Sequence, residues 1–142
     1  MIIPVTKEHE QTWAALNDAL WPDENSIDEW IKEGHERGLD KEFLYMTEGE
    51  AVAFISLSIR NDYVEGTDSN PVGYIEGIYV KPQFQNRGIA RALVEFAKKW
   101  SAENGCKYLA SDCELHNESS RKFHNSVGFE EANTIVCFVM DL

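Results

Sequence analysis

Residues 72–105 most narrow what this chain can fold into. "VGYIEGIYV", "KPQFQNRG" and "IARALVEFAKKWSAENG" read in order as a strand, a polar loop with a single glycine, and an amphipathic helix. Ile89, Leu93, Phe96 and Trp100 fall at offsets 0, 4, 7 and 11, which makes one apolar stripe, and Gly105 supplies a stop. A helix of this kind, handed over directly from a strand, needs a sheet to lie on.

The flanking sequence supplies that sheet. "FLYMT" (43–47), a tight turn at Glu48-Gly49-Glu50 and "AVAFISLSIR" (51–60) read as two strands, followed by the polar loop "NDYVEGTDSNP" (61–71). Downstream come a strand at "KYLAS" (107–111), a short helix at 117–128 capped by Asn117 and ended by Gly128, and a last strand at "TIVCFVM" (134–140). At the front, "IIPV" (2–5) reads as a strand. Thr6 caps a helix running to about Trp21, with Trp13, Leu16, Leu20 and Trp21 on one face. "SIDE" (26–29) is a capping box opening a second helix that carries Ile27, Trp30 and Ile31 and stops at Gly34 or Gly38.

The resulting order, β-α-α-β-β-β-α-β-α-β, predicts an α/β fold with a central mixed, mostly antiparallel sheet and helices on both faces. The 142 residues suit a single domain spanning 1–142, long enough to bury about two-thirds of its unfolded surface. No linker, repeat or low-complexity tract divides them. "MIIPVTKEHE" turns charged after six residues and no apolar run reaches the ~18 of a membrane span, so a soluble, cytoplasmic protein without membrane partners is expected. Cys106, Cys113 and Cys137 have no C-x-x-C spacing and no nearby His pair, so neither a metal nor a disulfide is expected. The net charge of −12 argues against a nucleic-acid partner. Where such acidity gathers in a site, it draws in a cationic ligand.

Chemistry concentrates at the strand-loop-helix junction. Gly88 stands where the chain enters the helix, and a helix N-terminus with unpartnered N–H groups favours a phosphate or pyrophosphate. Ala90 keeps the first turn narrow, and Arg87 and Arg91 bring cations to an end of the helix that an anion would suit better. The lone glycine is not a Rossmann G-x-G-x-x-G, and no G-K-[ST] follows to make a P-loop. Spacing alone is equally met by a plain crossover whose glycine relieves crowding.

"Gln85-Asn86-Arg87-Gly88-Ile89-Ala90" resembles the Q/R-x-x-G-x-G/A pyrophosphate signature of the GCN5-related N-acetyltransferases, and "NESSRKFHNSVGF" (117–129) is similar to that family's second cofactor segment. More narrowly, "LWP" (20–22), "IRNDYVEG" (59–66), "YIEGIYV" (74–80), "ASD" (110–112) and "GFEEAN" (128–133) resemble the bacterial aminoglycoside 6'-N-acetyltransferases. The resemblance covers nearly the whole chain. It implies antibiotic resistance by direct acetyl transfer from acetyl-CoA, with no metal, to the 6'-amino group of an aminoglycoside in a ternary complex, and a homodimer. It also implies that the backbone of Ile78, Tyr79 and Val80 meets the pantetheine arm and thioester, that Asn86, Arg87, Gly88, Ile89, Ala90 and Arg91 hold the pyrophosphate, and that Asn117 contacts the arm. Asn117 serves equally as a plain N-cap.

On the acceptor side, period-2 alternation places Glu76 on the same face as Ile78 and turns Gly77 to the other. A carboxylate within an apolar strand is costly to bury unpaired, so it calls for a partner. By resemblance Glu76 handles the amine's proton, and Asp112, a second catalytic candidate, faces the aminoglycoside. Trp21, Glu24, Tyr63 and Asn133 match positions lining the acceptor cleft, although Trp21 also fits an ordinary core position. His124 stands where the wider family often has a tyrosine acid for the leaving thiolate. Two other readings stay open: the same fold acetylating a polyamine or a protein N-terminus, and a non-catalytic acyl-CoA-binding module.

Overall fold

Three strands rich in β-branched and aromatic residues form the antiparallel body of the sheet. The computed structural model describes residues 1–142. In chain order it has β1 (Ile2–Pro4), α1 (Glu10–Leu20), α2 (Ile27–Arg37), β2 (Glu42–Thr47), β3 (Glu50–Arg60), β4 (Val72–Val80), α3 (Ile89–Glu103), β5 (Leu109–Ala110) and α4 (Glu118–Ser126). The sheet order is β1-β2-β3-β4-β5, antiparallel up to β4 and parallel between β4 and β5. No helix is long and apolar enough to cross a membrane.

The two faces are buried by different helices. Trp13, Leu16 and Trp30 of α1 and α2 pack with Leu44 and Phe54 on one face. Leu93, Val94 and Ala97 of α3 pack with Val52, Ile55, Leu57 and Ile75 on the other. Each fully buried Val, Leu, Ile or Phe among them contributes roughly 1.5–3 kcal/mol. α2 begins at the expected capping box, with Glu29 N–H donating to Ser26 Oγ (3.2 Å) and Ser26 N–H to the Glu29 carboxylate (2.6 Å). It ends at Gly38, and Gly34 lies inside it because a Cβ there would come within 2.7 Å of the Trp13 ring.

Four expectations change. Thr6 does not cap α1 directly: a 3-10 turn at Lys7–His9 intervenes, and the Thr6 hydroxyl meets His9 Nδ1 instead. The predicted strand at 107–111 shortens to Leu109–Ala110. The predicted last strand at 134–140 does not form: the segment has no strand partner and is exposed throughout. Apolar, β-branched sequence favours an extended chain, whereas a strand also needs a neighbour's N–H and C=O groups. Finally, Ser56 pairs with Gly77 but Leu57 with Ile75, so Glu76 is the extra residue of a β-bulge. The bulge breaks the alternation on which Glu76 and Ile78 were assigned one face. Ile78 packs with the α3-side core, while Glu76 joins Gly77 on the α1/α2 side.

Candidate active site

The bulge turns Glu76 into a cleft of about 270 Å³ between the sheet and the α1–α2 pair, lined by Asn17, Trp21, Glu24, Trp30, Glu33, Arg37, Ser56 and Glu76. Three carboxylates to one guanidinium make the lining acidic. Trp21 stacks on Trp30 with ring centroids 5.7 Å apart, and its ring lies over Gly77, which has no side chain to block it. Trp21 is therefore both wall and packing residue. Glu24 follows on the same rim. Tyr63 is 72% exposed in the β3–β4 loop, where a large aromatic has surface to offer rather than core to fill. Asn133 approaches that loop from the C-terminal segment, its amide donating to Glu65 at 3.0 Å.

Glu76 does not stand alone. Ser58 Oγ donates to its Oε1 at 2.6 Å, Arg60 Nε donates to the same oxygen at 3.1 Å, and Arg60 Nη2 donates to both oxygens at 2.9 Å. The Arg60 guanidinium lies 3.4 Å above the Tyr74 ring, and the Tyr74 hydroxyl donates to Asp112 Oδ2. Burial first, and then that hydrogen bond, push the Tyr74 phenol far above its ordinary range, so it remains a donor at every physiological pH. The two carboxylates predicted for the acceptor side, Glu76 and Asp112, thus belong to one network through Arg60 and Tyr74.

Beneath the cleft is a carboxylate the sequence reading passed over. Glu42, 3% exposed on β2, accepts from Ser56 Oγ (2.8 Å) and from Trp13 Nε1 (3.2 Å), with Arg37 Nη2 at 3.5 Å. Burial raises its pKa, against the opposing pull of Ser56, Arg37 and Trp13. The polar spacing of Ser56, Ser58 and Arg60, at i, i+2 and i+4 in an apolar strand, was a usable signal for this face. Nothing comparable in "KEFLYMT" marks Glu42 as buried.

The donor side is a gap in the sheet. β5 pairs with β4 only at Gly73 and Tyr74, so Ile75 through Val80 have β3 on one side and no strand on the other. Backbone groups alternate along such an edge: Lys81 N–H bonds to Val52 O, so in this register the groups of Tyr79 turn to β3 and those of Ile78 and Val80 turn to the opening, the Val80 carbonyl being taken by Gln85. The expected contact through Tyr79's backbone is therefore corrected to its two neighbours. The loop from Val80 to α3 is held by the Gln85 amide, which donates to Val80 O at 3.1 Å, and by Arg87 over the Phe84 ring. Asn86 and Gly88 both take positive φ, at 61° and 82°. Gly88 forms the N-cap of α3 with nothing within 4 Å of where its Cβ would be, so the turn needs glycine and the space above it is open. Ile89 is buried and anchors the first turn, beside half-buried Ala90. A bulky anion fits this open helix start.

Arg91 is turned elsewhere. Its Nη2 donates to Ser126 O at 2.9 Å, holding a carbonyl at the C-terminal end of α4, where cations suit the helix dipole. Asn117 caps α4 by accepting from Ser120 N–H at 3.1 Å. His124 Nδ1 lies 2.7 Å from Ser120 O; a carbonyl only accepts, so this nitrogen carries the proton. Nε2 lies 2.8 Å from Ser111 Oγ, so both ring nitrogens are engaged within the fold.

A mixed sheet open between two parallel strands, the first of which leads through a loop into an open helix start, is the architecture of a CoA-dependent acyltransferase. The model of the Acetyltransferase (GNAT) family matches residues 5–129, and the chain belongs to that family. It is 39% identical over 131 residues to the aminoglycoside N(6')-acetyltransferase type 1 of Stenotrophomonas maltophilia, covering 92% of this chain and 86% of that one. It is 36% identical over 137 residues to that of Salmonella enteritidis, covering 94% of each. Among solved structures, AAC(6')-Iy in complex with the bisubstrate analogue CoA-S-monomethyl-acetylneamine aligns with a TM-score of 0.93 at 36% identity, covering 100% of this chain and 98% of that one.

Proposed function

We propose that this protein transfers the acetyl group of acetyl-CoA to the 6'-amino group of aminoglycosides, as a single acetyltransferase domain acting in the cytoplasm, and that it confers resistance by doing so. The observation that carries this reading is the free edge of β4 beyond Tyr74, running beside an acidic cleft that contains Glu76. The start of α3 at Gly88, with Asn86 and Arg87, takes the pyrophosphate. The free amide end of Asn117 contacts the pantetheine arm. Arg91 acts on this site indirectly, by fixing α4.

The chemistry needs a neutral amine. Glu76 removes the ammonium proton, directly or through one water, and Asp112 with Glu24 holds other amines of the polycation. Backbone N–H groups on the free β4 edge stabilise the oxyanion formed as the amine attacks the thioester. The thiolate leaves and takes its proton from solvent. Trp21 and Tyr63 flank the acceptor rings, and Asn133 closes the loop side. Paired aminoglycosides with and without a 6'-amino group, followed by thiol release, test the reading. Acetylation confined to the 6'-amine member is expected, and equal rates on both, or rates on polyamines alone, overturn it.

The working unit is a homodimer. Phe138, Val139, Met140 and Leu142 are each at least 82% exposed, and β5 presents an unpaired edge beside a groove lined by Val94, Leu109, Val127 and Phe129. The tail of one copy covers the open edge of another, which removes two exposed liabilities at once. Light scattering of the full chain against one ending at residue 133 tests this: a dimer that survives the truncation overturns it.

A further inference from the structure

We infer that Arg60 is a tethered cation that fills the acceptor's ammonium position until the substrate displaces it, and so sets which amines can enter. This rests on the proposed role of Glu76. Ser58 Oγ, Arg60 Nε and Arg60 Nη2 converge on Glu76 Oε1 while Oε2 accepts from Arg60 Nη2 alone, so the guanidinium pairs the charge of the carboxylate and one site on Oε2 stays open. An incoming ammonium therefore meets a carboxylate whose charge Arg60 already pairs, and it gains the full charge-assisted contact only where the guanidinium withdraws.

The two donors are not equally free to leave. The Ser58 hydroxyl sits on a short side chain within β3 and donates at 2.6 Å. Arg60 is the last residue of β3, its side chain is 41% exposed, and it has a second attachment in the Tyr74 ring 3.4 Å away. A guanidinium released from Glu76 keeps its place over that ring, because cation–π attraction does not depend on the carboxylate. Acceptor binding is then an exchange of one cation for another at Glu76. A lone weak amine gains little from such an exchange, whereas a polycation that also reaches Asp112 and Glu24 gains contacts that Arg60 cannot make. The arrangement selects for acceptors with several spaced charges.

The experiment compares the native protein with R60M, which keeps an apolar stem over Tyr74 but no charge, and with R60Q as a second neutral variant. Thiol release gives kcat and both KM values, and calorimetry gives the acceptor Kd, since KM equals Kd only when chemistry is slow. Both variants are expected to lower acceptor KM and Kd three- to tenfold, leaving the KM for acetyl-CoA unchanged. Methylguanidinium should compete with the acceptor in R60M and bring its KM back toward the native value, while R60K stays near native. An acceptor Kd that is unchanged or raised in both neutral variants, or a fall in kcat with KM constant, overturns the exchange and makes Arg60 a positioning residue. A native protein without acceptor-dependent thiol release overturns the substrate reading itself, a result distinct from an active native protein whose variants bind no tighter.

Discussion

Gly77 and Trp21 touch so closely that a Cβ at position 77 would lie 2.3 Å from Trp21 Cη2 and 2.9 Å from Cζ2. Both atoms belong to a ring already stacked on Trp30 and tilted against Phe54, so the indole has little room to retreat. Gly77→Ala should therefore move Trp21 toward the cleft, cost about 1–3 kcal/mol of stability as overpacking does, and raise the acceptor KM more than that for acetyl-CoA. Chemical denaturation and steady-state kinetics on one preparation check both parts. Unchanged acceptor KM would mean that Trp21 lines the cleft without touching the acceptor.

Glu76→Gln keeps an acceptor oxygen for Ser58 and Arg60 but cannot take a proton. Turnover at saturating acceptor should fall by roughly 10²–10⁴-fold, the usual range for removal of general acid–base catalysis, with acetyl-CoA affinity by calorimetry within twofold of native. The free β4 edge and the start of α3 do not depend on this side chain. Turnover that survives the substitution would remove Glu76 from the chemistry.

At Gly88, φ of 82° combines with open space around the missing Cβ. Gly88→Ala should cost about 1 kcal/mol through backbone strain alone. Gly88→Val adds a branched side chain to the space above the first turn of α3 and should raise the acetyl-CoA KM at least tenfold beyond the alanine variant, with acceptor KM little changed. A valine variant with normal acetyl-CoA KM would put the pyrophosphate somewhere else.

The architecture was legible in the sequence because the helices declare themselves locally. Ser26 to Glu29 forms its capping box, and the 89–100 stripe faces the sheet as its period demands. The bulge was not legible: nothing in "YIEGIYV" shows that β3 pairs Leu57 with Ile75 and skips Glu76, because register belongs to two strands at once. That one residue decided which face Glu76 occupies. The partners of Glu76 and Asp112 were hidden for the same reason. Arg60 and Tyr74 lie well apart in sequence and meet only through the β3–β4 ladder, which pairs Ser58 with Tyr74. The tail at 134–140 failed differently, since its composition reports a preference for extended chain and is silent on which chain supplies the partner.

Tyr74→Phe deletes the donor to Asp112 while leaving a ring under Arg60. A hydrogen bond to a charged group contributes about 1.5–3 kcal/mol when buried, and because Asp112 is exposed the loss of stability should fall at or below the bottom of that range. The functional effect should be larger for acceptors with several amines than for a minimal 6'-amine acceptor, because Asp112 loses its fixed orientation. The ratio of acceptor KM values in native and variant protein reads this directly. An identical rise for both acceptors would mean that Asp112 has no part in recognising the second amine.

Glu42 gives a pH dependence whose sign follows from its burial. Its folded pKa is raised above the ordinary value of 4.5. Between the two values the folded protein holds a proton that the unfolded chain releases, so this contribution is fully present below about 4.5 and is lost as pH rises through the folded value. Glu29 shifts the opposite way, lowered by its hydrogen bonds from Ser26 at the start of α2, so the total stability curve mixes the two. The difference between native protein and Glu42→Gln isolates one of them, because glutamine does not titrate. Urea midpoints measured from neutral pH down to about 4.5 should show the native protein gaining stability relative to Glu42→Gln as pH falls. Parallel curves would mean that Ser56, Trp13 and Arg37 together offset the burial of the charge.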